Sequence, residues 1–258
     1  MSPPTPGTYF DCASIRPAWQ DGLLILMYHA IETPPLWHKW RGLYVEPAKL
    51  RAQLDELRDT GARFVSLTEW NRRRSREREI IVTFDDGFQN VFRDGLPILR
   101  ELAVPAINYI VAGEIGGANS WDRDAGAQMR PLMSRDEILE WQRAGLEIGS
   151  HTLTHPRLSA IPPDQARREI FDSKKILEDL CGRPVPHFAY PYGDWNPAIR
   201  DLVAEAGYET ATVASPGFNS FESDRFTLHR FPATHRRPGA VALGRGFQRL
   251  LTGKPSQN

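Results

Sequence analysis

Two short segments carry the residue types that can do chemistry. Thr83-Phe84-Asp85-Asp86-Gly87 follows the apolar run Ile80-Ile81-Val82, so two carboxylates emerge where a strand gives way to a turn that glycine permits. Ser150-His151-Thr152-Leu153-Thr154-His155-Pro156 follows the strand-like run Leu146-Glu147-Ile148-Gly149 and offers two imidazoles at i and i+4. One carboxylate with two imidazoles is a three-ligand set for a divalent cation that leaves a position open for water or substrate. The spare carboxylate would then stand beside the cation, where a general base is needed. That combination points to metal-assisted hydrolysis. Each half has a bland reading as well. Asp-Gly after a strand is ordinary turn chemistry, and an isolated histidine pair more often hydrogen-bonds the backbone. Two adjacent like charges, however, repel unless a cation or proton separates them.

The elements that position these groups alternate in type. Strand-like runs fall at residues 23–28, 64–67, 80–84, 105–111, 146–150, 186–190, 210–214 and 226–231. Helical periodicity covers 46–59, with Leu50, Leu54 and Leu57 on one face and Gly61 as its stop. It recurs at 89–102, where Gly95 and Pro97 interrupt. A capping box of Ser134 with Glu137 opens a helix that Gly145 closes; Gly182 closes another over 162–180; Asn196-Pro197 starts one that ends at Gly207. A short terminal helix is expected at 241–251, followed by a polar tail. The run Arg72-Arg73-Arg74-Ser75-Arg76-Glu77-Arg78-Glu79 reads as a solvated connection. Alternating β and α leaves a doubly wound sheet or a barrel. No G-x-G-x-x-G follows the first strand. Tyr28-His29, Asp85-Asp86, His151, Tyr190-Pro191-Tyr192 and His229-Arg230 fall at the ends of different strands, which favours a barrel with its site at one face.

Composition narrows the function classes. The chain has 258 residues, 41% hydrophobic and 25% charged, with 32 basic and 32 acidic side chains. That balance gives no reason to expect nucleic acid or an anionic membrane as partner. Cys12 and Cys181 make no disulfide framework and no metal-binding spacing, and read as free thiols. The first residues lack a basic, apolar leader, and no run is long enough to span a membrane, so the expected location is the cytoplasm. The expected layout is an N-terminal extension over 1–20, a single barrel domain over 21–235, and a C-terminal helix with flexible tail over 236–258.

Taken together, the segments resemble the polysaccharide deacetylase (NodB-homology, carbohydrate esterase 4) family. Thr83-Phe84-Asp85-Asp86-Gly87 is similar to its first motif, Ser150 to Pro156 to its second, and Phe188-Ala189-Tyr190-Pro191-Tyr192-Gly193 to its third. Leu26-Met27-Tyr28-His29-Ala30-Ile31 resembles the opening strand of one branch, and Phe226-Thr227-Leu228-His229-Arg230-Phe231 the closing strand. The resemblance implies a distorted (β/α) barrel and a Zn2+-type site. It also implies hydrolysis of N-acetyl groups on an amino-sugar-containing carbohydrate. Carried over, Asp85 is the general base; Asp86, His151 and His155 are the metal ligands; the Tyr192 N–H faces the developing oxyanion. Better-known members hold the base with an arginine in the third motif, where this chain has Ala189. Arg230 is the first candidate for that task, with a structural salt bridge as its alternative. The proton donor to the leaving amine is His229 or His29, with His235 in a later loop; His187 and His38 read as structural or surface groups. Trp121, Asp122, Tyr190 and Trp195 are candidate sugar contacts, while Trp70 and Trp141 read as packing. Two other readings stand beside this one: hydrolysis of a non-sugar amide, and a non-catalytic carbohydrate-binding barrel.

Overall fold

The computed structural model of the chain describes Trp19 and residues 22–33, 41–123 and 128–233. Expectations for the N-terminal extension with Cys12, for His38, for His235, and for the terminal helix and tail lie outside the described residues.

Eight strands form one sheet: β1 (Leu23–Tyr28), β2 (Arg63–Phe64), β3 (Glu79–Phe84), β4 (Ala106–Ile110), β5 (Glu147–Ser150), β6 (His187–Ala189), β7 (Thr210–Thr212) and β8 (Phe231–Pro232). Their order is β7-β6-β5-β4-β3-β1-β8, with β2 added on β3, and every strand pairing is parallel. The last segment touches both edges. Leu228 bridges Thr212 of β7, and Phe231 pairs with Leu26 of β1, so the sheet curls into a distorted barrel. Burial on both faces explains why β1 and β3 read as continuous apolar runs without alternation.

Side-chain parity then sorts the strand residues. Leu24, Leu26, Ile80, Val82 and Phe84 pack outward against the helices, while Leu23, Ile25, Ile81, Ile107 and Tyr109 form an inner cluster. The outer layer is built from helices α1 (Pro47–Arg58), α2 (Leu67–Arg73), α3 (Leu96–Glu101), α4 (Arg135–Arg143), α5 (Pro163–Cys181) and α6 (Pro197–Glu205). α1 buries Leu50, Leu54 and Leu57, as their spacing predicts. The Ser134–Glu137 capping box, the Asn196 cap and the left-handed Gly182 stop are all present. A π-helical turn at Val91–Gly95 absorbs the Gly95-Pro97 interruption, and Pro97 then lies in the first turn of α3, where its missing N–H is not needed. No described helix is long and apolar enough to cross a membrane.

Two local expectations are corrected. The strand expected at 64–67 ends at Phe64, because Ser66 accepts from the Glu69 N–H and starts α2. The Glu147 carboxylate also accepts from the Leu67 and Thr68 amides. The arginine run after it is not merely solvated. Arg73 and Arg63 both pair with Glu79, which is fully buried, and Arg74 donates to the carbonyls of Phe221 and Ser223.

α2 covers the N-terminal ends of the strands, with Trp70 buried in the inner cluster. There His187 is fully buried between the hydroxyls of Thr68 and Thr210, 2.9 Å from each. Burial pushes its pKa below the ordinary value, with Glu147 and Glu209 only partly opposing. The unfolded chain therefore binds this proton more tightly than the folded one. Stability is complete above about pH 6.5 and falls as the pH drops below it, by at most about 1.4 kcal/mol per pH unit. His187→Gln should lose less thermal stability than wild type between about pH 7.5 and about pH 5. Parallel melting curves for the two chains would contradict this.

Candidate metal centre and active site

The chemistry sits at the opposite end, where β1, β3, β5 and β6 finish. On β3, Ile81 and Thr83 point inward, and the same parity carries Asp85 inward past the strand end. Asp86 then adopts φ 74° and Gly87 φ 73°, a left-handed pair of residues that turns the second carboxylate away from the first. On β5, parity places Gly149 and His151 inward, and a Cβ at Gly149 would lie 2.4 Å from the Tyr109 ring. Thr152 (φ 67°) and His155 (φ 64°) are also left-handed, and their loop brings the second imidazole back over Asp86.

The three side chains converge. His151 Nε2 lies 3.5 Å and His155 Nε2 3.4 Å from Asp86 Oδ1. Their candidate ligand atoms all fall within 4.8 Å of one another. Donors about 2.0–2.2 Å from a tetrahedral ion stand roughly 3.3–3.6 Å apart, so the separations of both imidazoles from Asp86 fit a zinc-sized cation. Asp86 Oδ1 is buried and accepts no hydrogen bond among the described residues, a costly state for a carboxylate oxygen unless a cation meets it. The His151 Nδ1–H donates to the Ala189 carbonyl at 2.8 Å, which turns the Nε2 lone pair towards Asp86. Burial pushes the His151 pKa down to about 4 against the pull of Asp85, so the ring is in its neutral, ligating form at neutral pH. Burial opposes ionisation of Asp86 too, but the facing His155, His29 and His151 outweigh it and hold its carboxyl below the usual range.

Asp85 has a different partner. Arg230, fully buried, donates from Nη1 to Oδ1 at 2.6 Å and from Nη2 to Oδ2 at 2.8 Å. Two further N–H groups donate to Thr83 Oγ1 (3.1 Å) and the Val213 carbonyl (3.1 Å). Burial raises the Asp85 pKa, and the Arg230 guanidinium, with His151 and His29, overcomes that and keeps it below its ordinary value.

A cleft of about 240 Å³ opens over these groups, with Met27, His29, Leu43, Trp121, Asp122 and Tyr192 in its walls. Trp121 stacks on His155 at 4.6 Å, and Tyr192 meets the same ring edge-on at 4.7 Å. Tyr192 (φ 59°) is 45% exposed. Asp122 accepts from Asn119, and burial raises its pKa. Three candidates are placed otherwise. His229 lies between inward-facing Leu228 and Arg230 and therefore points out of the barrel, exposed and bonded to Ser215, so it does not line the cleft. Tyr190 shows an edge to the cleft, but its ring is buried among Phe188, Tyr208 and Ile199 and its hydroxyl donates to the Phe226 carbonyl, leaving no face for a sugar. Trp195 is exposed near Tyr190 and outside the cleft. Met27, Leu43 and Arg157 were not anticipated. Parity on β1 could have flagged Met27 with His29, while Arg157, 4.3 Å above the Tyr192 ring, lies in a loop and Leu43 in a single 3-10 turn (Arg41–Leu43), neither with a periodic signal.

Comparison with known proteins agrees with this geometry. A family model described as polysaccharide deacetylase matches residues 72–211, more than half of the chain. A polysaccharide deacetylase of Bacillus cereus with a known crystal structure is 26% identical at a TM-score of 0.71, covering 87% of this chain and 68% of that one. A chitooligosaccharide deacetylase of Bradyrhizobium sp. (strain ANU 289) is 29% identical over 176 residues, 64% of this chain and 69% of that protein. A poly-beta-1,6-N-acetyl-D-glucosamine N-deacetylase of Staphylococcus aureus (strain MRSA252) is 24% identical over 176 residues, 63% of this chain and 58% of that protein. The chain belongs to the polysaccharide deacetylase family, hydrolases that remove acetyl groups from amino-sugar carbohydrates.

Proposed function

We propose that the chain hydrolyses the N-acetyl group of a glucosamine-type unit in an oligo- or polysaccharide, with Asp86, His151 and His155 holding a divalent cation and Asp85 acting as base. The observation that carries this reading is the separation of two adjacent carboxylates, one facing two imidazoles and the other clasped by Arg230. A donor set of two nitrogens and one oxygen favours Zn2+ over Mg2+ or Ca2+, which take oxygen-rich shells. When bound, the cation supplies Lewis acidity for the amide carbonyl and a lowered pKa for water beside it. Asp85 accepts the proton of the attacking water, and Arg230 fixes the direction of its lone pairs. Tyr192, whose left-handed backbone follows Pro191, offers its N–H to the oxygen that gains charge. Among the described residues, His29 is the imidazole of the cleft that is not a candidate ligand, and it donates the proton to the departing amine in place of His229. Trp121 and Asp122 provide an apolar wall and a hydrogen-bonding group for the sugar ring. The glucosamine-type substrate follows the names of the two relatives, which act on chitooligosaccharide and on poly-N-acetyl-glucosamine.

Asp85→Asn keeps the shape and removes the base. Acetate release from an N-acetylated oligosaccharide should fall about 10²- to 10⁴-fold, while the purified variant keeps its metal content. Turnover near the wild-type rate would exclude Asp85 as base. The same substitution leaves a buried guanidinium without its countercharge, and Arg230→Met leaves a buried carboxylate, so each should destabilise by about 3–5 kcal/mol. In denaturant unfolding the double variant should lose clearly less than the sum of the two. Simple additivity would mean that the pair contributes no coupling.

A further inference from the structure

Both histidine ligands need fixed rings, and the two obtain them differently. His151 has a partner for its second nitrogen in the Ala189 carbonyl. His155 Nδ1 is buried and has no hydrogen-bond partner among the described residues. Its placement therefore depends on the backbone that carries it and on the rings that flank it. That backbone is irregular, with two non-glycine residues, Thr152 and His155, held at positive φ, a conformation that persists only when surrounding groups over-determine it.

Glu169 supplies most of that determination. It lies on the buried face of α5 with Ala166, Ile170, Ser173 and Leu177, where helical spacing calls for an apolar side chain. It is 4% exposed and forms no ion pair among the described residues. Its carboxylate instead caps the second-motif loop. Oε2 accepts from the Leu153 amide at 2.9 Å and the Thr154 amide at 2.8 Å, and Oε1 accepts from Thr154 Oγ1 at 2.6 Å. The next amide, that of His155, donates to Thr152 Oγ1 at 3.0 Å. From the other side, the Ala112 and Gly113 amides donate to the carbonyls of Thr152 and Leu153. A Cβ at Gly113 would sit 2.6 Å from that Leu153 oxygen, so the approach is close. Burying a carboxylate on a helix face that packing alone would fill with a hydrocarbon is costly. Three donors from one loop offset the cost, and all three come from the two residues just before a metal ligand.

We propose that Glu169 is a positioning residue for the metal centre: it holds the loop that presents His155 and so replaces the ring hydrogen bond that His155 lacks. The inference rests on the assignment of Asp86, His151 and His155 as ligands, and its test separates the two. Wild type, Glu169→Gln and Leu177→Ala are loaded with Zn2+, and the ion's affinity is read by competition with a chromogenic chelator, alongside melting of the metal-free chains. Glu169→Gln keeps the volume but puts an N–H donor where a carboxylate oxygen accepts, and its affinity should fall roughly 10- to 100-fold, as for other groups that orient metal-binding histidines. Thr154→Val, which removes only the hydroxyl bond, should fall less. Leu177→Ala opens a cavity on the same face of α5 and should lower the melting temperature without weakening the ion's affinity. Unchanged affinity in Glu169→Gln, or an equal loss in Leu177→Ala, would overturn the positioning role while leaving the ligand assignment intact. A wild-type chain that takes up no Zn2+ would overturn both. Should Glu169→Gln fail to fold, Thr154→Val decides, with wild-type affinity there counting against the proposal.

Discussion

A guanidinium and a carboxylate buried side by side at the end of the barrel tie the fold to the chemistry. Asp85 ends β3, and Arg230 arrives on the segment that closes the sheet. Either charge alone would be expensive in this interior; the two-pronged pair compensates both, and Thr83 and Val213 accept two further N–H groups of Arg230. The pair forms only if the closing segment lies next to β1, because β1 separates it from β3 in the sheet. Barrel closure and the low pKa of Asp85 thus share one interaction, to which His151 and His29 add.

That interaction also resolves the repulsion between neighbouring carboxylates. Asp85 continues the inward parity of an extended strand, while Asp86 enters the left-handed region and swings to the two imidazoles. A single positive φ sends two chemically identical side chains into different electrostatic environments. One meets a permanent cation of the protein, and the other meets two imidazole nitrogens and has an Oδ1 with no hydrogen bond among the described residues. In the proposed mechanism, an acid pair that reads as a liability becomes a division of labour between holding an ion and accepting a proton.

Much of this was legible in residue order because the signals are local. Capping residues marked α4, α5 and α6, apolar runs marked the parallel strands, and motif spacing picked out Asp86, His151 and His155, which the fold brings together. What was not legible depends on which way a side chain points or on contacts distant in sequence. Strand parity excludes His229 and turns the Tyr190 ring into the outer core, yet parity is known only once the register is known. The cap Ser66–Glu69 was present in the sequence, but the apolar residues Phe64, Val65 and Leu67 around it masked the start of α2. Glu169 gave no signal at all: on a helical wheel it is an acid on an apolar face, and only the loop packed over it gives that acid a purpose.

The site combines a rigid floor with an open rim, and the two suit different demands. Ion ligands tolerate little displacement, and the floor is accordingly over-determined: each of the loop amides from Leu153 to His155 has an acceptor, and His155 is flanked by Trp121 and Tyr192. The rim is less enclosed, with Tyr192 and Leu43 more than a third exposed over the cleft. A polymer needs to lower one acetyl group into such a floor while its neighbouring units remain outside. A closed pocket would exclude those units; an open one admits them, with Asp122 in the cleft wall and Arg157 stacked on Tyr192 beside it.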